Sequence, residues 1–198
     1  MRSAPLILIT LVFASAGCAT TVVPPRDVRN PVTVYVTDYG RHSSILMPID
    51  ETILIEYAFG DFDFFALEHW RWWDMMRVAI YSKRSTLGRR VVAMQPDAAS
   101  LRDELGLVNA QAIVVEQERV LALERKLDER FIARLDTQVF GPTTELWFVQ
   151  DPRHYRVLKN CNAQTADWLR ELGCEIRGSA FTSNFKVRPA LGDLHPAR

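Results

Sequence analysis

The sequence predicts an α+β domain in which a mainly antiparallel sheet packs against helices. Three observations carry this prediction. Short apolar runs with the two-residue alternation of strands follow one another early in the chain, two segments with helical periodicity come later, and a further helix begins at Cys161. Because the strand-like runs are joined by short links, neighbouring strands are expected to pair antiparallel.

The strand predictions start with "VTVYVTDYG", where valines alternate with polar or aromatic residues. The segment from His42 to Gly60 reads as two strands joined through Pro48–Asp50, which predicts a hairpin. Further strands are expected in "AIVVE", "ELWFVQ" and "YRVL". The basic cluster Lys83–Arg90 is expected in a solvated hairpin or loop, because it lacks the Gly-Lys-Ser/Thr core of a phosphate-binding loop.

Helices are expected in three segments before Cys161. The Trp-rich stretch Phe65–Arg77 is apolar on more than one face, which fits either core packing or an apolar groove that receives an acyl chain. The stretch Met94–Gly106 has Pro and Asp at its start and Gly at its end, residue types that are common where helices begin and end. The segment "QERVLALERKLDERFIARL" repeats apolar residues at helical spacing, namely Val120, Leu123, Leu127 and Phe131.

Composition indicates one globular domain and argues against nucleic acid as a partner. The chain has 198 residues, 48% of them hydrophobic, with 24 basic and 24 acidic residues. Zero net charge provides no basic field for a nucleic acid. The sequence has no Cys-x-x-Cys, His-Glu-x-x-His or Gly-x-Ser-x-Gly spacing, so neither a metal site nor a serine nucleophile is predicted, and no cofactor is implied.

The N-terminus has the features of a bacterial lipoprotein signal peptide. Residues 1–17 contain a basic start and an apolar run that is too short to span a bilayer, followed by "ASAGC". This motif resembles a lipobox, which would make Cys18 the lipidated first residue and residues 18–31 a tether to a domain over 32–198. Simple secretion is the alternative. Ala19 after the cysteine predicts an outer-membrane location facing the periplasm.

Cys161 is the candidate nucleophile because of where its helix begins. Asn160 is a strong N-cap residue, so Cys161 falls in the first turn, where unpaired N–H groups and the helix dipole favour a thiolate. We therefore expect a lowered pKa for this thiol. The alternative is an inert buried thiol, since free cysteine is often found in cores. Cys174, beyond the end of the helix, is expected to pack as a small apolar residue.

A thiol nucleophile needs a base, and the sequence offers four histidines. His42 is preferred because it opens a predicted strand after a turn, where its ring can be aimed, although an edge histidine with an ordinary hydrogen bond also fits. The other three are His69 in the Trp-rich segment, His154 in a turn and His195 in a Pro-flanked tail.

The stretches "RHSSILMPI", "EYAFGDFDFF" and "YRVLKNCNAQTADWLRELGC" resemble a bacterial lipoprotein family classed as a domain of unknown function. That family is similar to circularly permuted papain-like proteins, which include cell-wall amidases of the NlpC type and lecithin:retinol acyltransferase-like enzymes. The resemblance implies a histidine on an early strand and a cysteine at the start of a late helix, the order in which His42 and Cys161 occur.

The resemblance also implies a third polar residue that orients the histidine. Glu56 is the candidate, because a hairpin turn centred on Ile49 would place it directly opposite His42. Asp61 is the alternative and Asp38 comes third, whereas a Glu56 on a solvated sheet face would have no such role.

The implied chemistry is thiol-based hydrolysis or transfer of an amide or ester. Peptidoglycan stem peptides, phospholipids and acylated proteins all fit as substrates, and the membrane is a partner through the N-terminal lipid. The competing expectation is a non-catalytic binding or scaffolding lipoprotein with the same fold.

Overall fold

The computed structural model of the protein describes residues 19–68, 84–93, 95, 97–153, 155 and 160–188. Ten strands lie in these residues: β1 Thr20–Val23, β2 Pro31–Asp38, β3 Ser43–Pro48, β4 Ile53–Asp61, β5 Ser85–Ala93, β6 Asn109–Glu116, β7 Val139–Gly141, β8 Leu146–Asp151, β9 Glu175–Arg177 and β10 Phe185–Val187. The α-helices of this part of the chain are α1 Ala98–Leu105, α2 Gln117–Ile132 and α3 Cys161–Glu171, with a π-helical turn at Phe62–Ala66 and a 3₁₀ turn at Leu135–Thr137.

A seven-stranded sheet forms the centre of the molecule, in the order β6-β2-β3-β4-β5-β8-β7. Each pair of neighbouring strands in it is antiparallel. The structure therefore confirms the predicted α+β class and its mainly antiparallel sheet.

The two faces of this sheet carry different helices. Alternate residues of β2, β3 and β4 point toward α2 and α3, and this face holds the largest apolar cluster, which includes Ile45, Ile55 and Trp168. On the opposite face, Leu46 and Leu54 pack with Leu101 of α1. A third cluster on that side contains Phe148 and the π-helical turn.

The helices predicted around Met94–Gly106 and after Glu116 are present as α1 and α2, whereas the prediction over Phe65–Arg77 is wrong for Leu67 and Glu68, which follow the π-helical turn and lie outside any helix. Asp97 caps α1 by accepting from Ser100 N at 2.8 Å, and Gly106 ends that helix in the left-handed conformation at φ 62°. The residues predicted for the inner face of α2 are buried, namely Val120, Leu123, Leu127 and Phe131.

The loop predicted for the basic cluster Lys83–Arg90 is wrong. From Ser85 onward this segment is β5, an interior strand between β4 and β8, and its first four residues are buried. Two adjacent arginines obscure the strand pattern in the sequence. Arg90 is accommodated beside the sheet because Glu56 stands directly opposite it on β4.

The predicted hairpin is present as β3 and β4, but its register differs from the expected one. Ile49 N donates to Ile53 O at 3.0 Å, so the turn is centred two residues later than expected. Glu56 consequently lies opposite Leu46, and Ala58 lies opposite Ser44. His42 and Glu56 are therefore not a directly opposed pair, although their even separation leaves them on the same face.

The predicted tether is partly structured. Thr20–Val23 form β1, the central strand of a second, three-stranded sheet in the order β10-β1-β9. β1 pairs antiparallel with β9 and parallel with β10. Thr20 and Val22 are fully buried, because this strand packs into the same core as α3.

Several predictions fall on parts of the chain outside the described residues. These are the signal peptide with Cys18, the Trp-rich segment from His69 to Arg77, the other histidines at 154 and 195, and most of the expected strand "YRVL". In the part of the chain that the structure describes, no helix is both long enough and apolar enough to cross a membrane.

Candidate functional site

Cys161 begins α3, as the sequence predicts. The Asn160 side chain accepts a hydrogen bond from Ala163 N at 2.9 Å, which caps the helix one residue before the cysteine. α3 packs on β3 and β4, and this packing places the helix N-terminus at the beginning of β3. Only 4% of Cys161 is exposed.

The thiol lies among polar groups of the chain segment before β3 and of its own helix. Cys161 Sγ is 4.0 Å from the Arg41 carbonyl oxygen and 3.7 Å from Asn162 Oδ1. Asn162 is itself fixed, since Ser43 Oγ donates to its Oδ1 at 2.9 Å. Backbone N–H groups of Ser43, Cys161 and Asn162 also interact with the sulfur. The position of the sulfur is thus set by two segments that are 120 residues apart.

His42 immediately precedes β3 and turns its ring toward aromatic neighbours. Its ring centroid lies 4.8 Å from that of Phe65 and 6.1 Å from that of Tyr39. The backbone is fixed by Tyr39 N, which donates to the His42 carbonyl at 2.8 Å. Within the described residues, the buried Nδ1 of this ring has no hydrogen-bond partner.

Cys161 and His42 line one cavity of about 630 Å³. This volume is in the range of small-molecule sites. Its apolar lining comes from aromatic and aliphatic side chains, namely Phe64, Phe65, Leu105, Leu146, Phe148 and the rings of Tyr39 and Tyr155. Arg41, Arg90, Glu104 and Glu145 add charged groups. Among the described residues, however, the thiol and the imidazole form no hydrogen bond to each other.

Two glycines permit the aromatic lining of this cavity. A side chain at Gly60 would overlap the ring of Phe65, and one at Gly88 would lie 2.6 Å from the Phe148 ring. Both phenyl rings can therefore approach the sheet this closely only because these positions have no Cβ. The cavity depends on glycines of two neighbouring strands, β4 and β5.

The protonation states differ from the expected thiolate–imidazolium pair. Burial raises the pKa of Cys161 to about 11, although the surrounding N–H groups favour the thiolate. Burial also lowers the pKa of His42 to about 4, against the opposing effect of the Glu56 charge. The prediction of a lowered thiol pKa is therefore wrong for this conformation, because loss of solvation outweighs the helix N-terminus. At neutral pH the thiol is protonated and the imidazole is neutral.

Glu56 is fully buried, and it accepts hydrogen bonds from residues other than His42. Tyr39 Oη donates to its Oε1 at 2.6 Å, Ser44 Oγ donates to the same oxygen, and Arg90 Nε donates to Oε2 at 2.5 Å. Arg90 also donates to Tyr39 Oη at 2.8 Å, which closes a ring of three side chains. No hydrogen bond joins Glu56 to His42 among the described residues, so its effect on the imidazole acts through charge.

The other two candidate carboxylates have local structural roles. Asp61 Oδ1 accepts from Phe64 N at 2.8 Å and caps the π-helical turn. Asp38 Oδ1 accepts from Gly40 N at 2.6 Å in the turn before His42. Asp61 is also close enough to Tyr155 for its charge to raise the pKa of that phenol.

Tyr155 is a site residue that the sequence analysis missed. It lines the cavity, and its phenol interacts with both the thiol and the backbone N–H of Cys161. Burial is the main cause of the raised pKa of Tyr155, and the negative charge of a Cys161 thiolate adds to it. The phenol therefore keeps its proton and can donate it in a hydrogen bond. The only sequence signal was a tyrosine a short distance before the cysteine.

The second cysteine is separate from the cavity lining. Cys174 is 5% exposed and packs in the main apolar cluster, as expected for a small apolar residue. Both cysteines in the described residues are free thiols. Within those same residues, no group of three or more His, Cys, Asp or Glu side chains is arranged to hold a metal ion.

Comparison with known proteins adds no constraint: no family model, no curated protein and no solved structure matches this chain. The resemblance to permuted papain-like proteins therefore stays a prediction.

Proposed function

We propose that this protein is a lipid-anchored envelope protein that uses Cys161 to hydrolyse or transfer an acyl group bound as an ester or amide. The observation that carries the proposal is the shared cavity, which Cys161 and His42 line together although they are 119 residues apart in sequence. The position of His42 immediately before β3 and the helix start at Cys161 support a permuted papain-like arrangement.

The reaction begins from a neutral pair. With pKa values near 11 and 4, the thiol–imidazole form is favoured over the thiolate–imidazolium form by on the order of 10 kcal/mol, before the attraction of the two charges is counted. The proton therefore moves from sulfur to His42 as the carbon–sulfur bond forms, rather than in the resting enzyme.

The later steps return both residues to their starting states. The imidazolium of His42 protonates the leaving alcohol or amine as its bond to the acyl carbon breaks, which leaves a thioester on Cys161. Water, or the hydroxyl or amine of an acceptor, then attacks the thioester and transfers a proton to His42. The thiol recovers its proton when the carbon–sulfur bond breaks.

The first turn of α3 and Tyr155 would stabilise the oxyanion of the tetrahedral intermediate. Backbone N–H groups at Cys161 and Asn162 already surround the sulfur, and the Tyr155 phenol lies beside them. The apolar, aromatic lining favours an acyl chain over a polar stem peptide as the group held in the cavity. Phospholipids and acylated proteins are the substrates of that kind.

A non-catalytic binding protein is the second candidate function. The observation that favours it is that His42 Nδ1 has no orienting partner among the described residues, whereas a catalytic histidine is normally held by a hydrogen bond to its second nitrogen. In that case, the cavity would hold an acyl ligand without reacting with it.

Acyl-enzyme trapping separates the two functions. The full chain would be mixed with p-nitrophenyl esters of increasing acyl length, and intact-mass analysis would follow the protein. We expect a hydroxylamine-sensitive mass increase in the wild type and in Cys174→Ser, and none in Cys161→Ser. His42→Gln should slow acylation. Ester binding without an adduct at Cys161 would refute the thiol chemistry and favour the binding function.

A further inference from the structure

The first described residues of the chain are fixed next to the β9–β10 loop, which spans residues 178–184. Thr20 N donates to the Asn184 carbonyl at 2.9 Å, and Thr20 Oγ1 donates to the Ser179 carbonyl at 2.9 Å. A side-chain carbon at Gly178 would lie 3.5 Å from the Ala19 carbonyl oxygen. Both ends of this loop are therefore in contact with the beginning of β1.

The middle of the β9–β10 loop combines an exposed aromatic side chain with a connection to the candidate site. Phe181 is 52% exposed, whereas most phenylalanines described here are buried or partly buried. Its carbonyl accepts from Asn160 Nδ2 and from Asn162 Nδ2, each at 3.1 Å. Asn160 caps α3, and Asn162 contacts the Cys161 thiol.

We propose that the β9–β10 loop is the surface through which the anchored protein contacts the lipid bilayer, with the acyl cavity opening beside it. This inference rests on the proposed lipid at Cys18. Two residues of chain from Cys18 to Thr20 span at most about 7 Å, so no tether separates the lipid from the folded domain. The residues that surround Thr20 must then lie at the membrane surface, and Phe181 is the exposed apolar side chain of that loop.

The charges of the strands that flank this loop fit a membrane with anionic lipid headgroups. Arg177 on β9 and Lys186 on β10 are both cross-strand neighbours of Thr21, and both are exposed. Arg188, the residue after β10, is also exposed, while Glu175 is ion-paired with Arg177 at 2.7 Å. The excess of positive charge supplements the apolar contact of Phe181.

Spin-label accessibility on vesicles tests this orientation. The full lipidated chain would carry Cys161→Ser and Cys174→Ser, with a nitroxide at Phe181→Cys, and would be reconstituted in vesicles of phosphatidylethanolamine and phosphatidylglycerol. Thr182→Cys provides a second exposed position in the loop, with Phe181 retained. Ile132→Cys on α2 is the matched control, because Ile132 is 57% exposed. Relaxation by oxygen and by an aqueous nickel chelate would be measured at each position.

We expect the loop labels to gain oxygen accessibility and to lose nickel accessibility severalfold on vesicles, while the label at Ile132 stays aqueous. Vesicle flotation of the same samples reports the anchor separately. If the chain floats and the labels at both loop positions remain as accessible to nickel as the control, this orientation is refuted and the anchor stands. A chain that does not float refutes the anchor and the orientation together, whereas the thiol chemistry is decided by acyl-enzyme trapping.

Discussion

Replacing Glu56 by Gln should destabilise the fold rather than simply remove an orienting group. The Glu56 side chain is 0% exposed and forms an ion pair with Arg90, whose side chain is only 12% exposed. The neutral amide would remove the buried counter-charge of the Arg90 guanidinium and leave only the exposed carboxylate of Glu145 near it. Removing one partner of a buried ion pair costs about 3–5 kcal/mol, which for a domain of this size lowers the Tm by about 6–20 °C.

Urea denaturation followed by circular dichroism measures this loss, and Glu145 provides the control. Its carboxylate lies 3.6 Å from the same guanidinium, but its side chain is 76% exposed. Glu145→Gln should therefore change the free energy of unfolding by less than about 1 kcal/mol, because exposed ion pairs contribute little. In a Glu56→Gln, Arg90→Met double variant, part of the stability should return, since no buried charge remains unpaired.

A Glu56→Gln protein that unfolds within about 1 kcal/mol of the wild type would refute this reasoning. It would show that Arg90 reaches solvent or another acceptor with little loss. If acylation of Cys161 were then strongly reduced in that stable variant, Glu56 would regain the orienting role toward His42 that the sequence suggested.

Three further predictions concern the cavity. The rate of iodoacetamide labelling of Cys161, followed by peptide mass mapping, should rise about tenfold per pH unit from pH 7 to 10. It should exceed the labelling rate of Cys174, because burial raises the pKa of that thiol to about 12. A plateau in Cys161 labelling below pH 8 would contradict its raised pKa. Folding lowers the pKa of His42 from 6.5 to about 4, so between pH 4 and 6.5 the unfolded chain binds more protons than the folded one. The free energy of unfolding should therefore decrease by up to about 3 kcal/mol as the pH falls from 6.5 to 4. Denaturation across that window should show a smaller decrease in His42→Gln, and an equal decrease would assign the effect to other groups. If the Tyr155 phenol donates to the oxyanion, Tyr155→Phe should slow single-turnover acylation about 10²–10³-fold. A decrease in the acylation rate of less than about tenfold would mean that Tyr155 only packs in the cavity.

The elements that the sequence predicts well are those whose signals lie within a few residues. The cap at Asn160 and the start of α3 at Cys161 depend on one side chain and the N–H three residues later. The inner face of α2 follows from helical spacing, and the β3–β4 hairpin follows from two adjacent apolar runs. These interactions are local, so they can be deduced without knowing what packs against them.

Pairings between distant segments were decided only by tertiary structure. The sequence alone predicts Arg90 in a loop, whereas in the structure it lies in a strand opposite Glu56, which is 34 positions earlier. Thr20–Val23 read as tether because β9 and β10, which hold it as a central strand, come more than 150 residues later. The displacement of the hairpin turn from its expected centre likewise placed Leu46, rather than His42, opposite Glu56.

For the Cys161 thiol as well, one part of the chemistry follows from the sequence and another part from the tertiary structure. By itself, the sequence determined that Cys161 stands in the first turn of a helix, where N–H groups favour a thiolate. Tertiary structure decided that this turn is buried at a cavity that His42 and Tyr155 also line, and that burial raises the pKa of the thiol to about 11. The physical reason is that a helix terminus is a property of neighbouring residues, whereas desolvation depends on every segment packed around the sulfur.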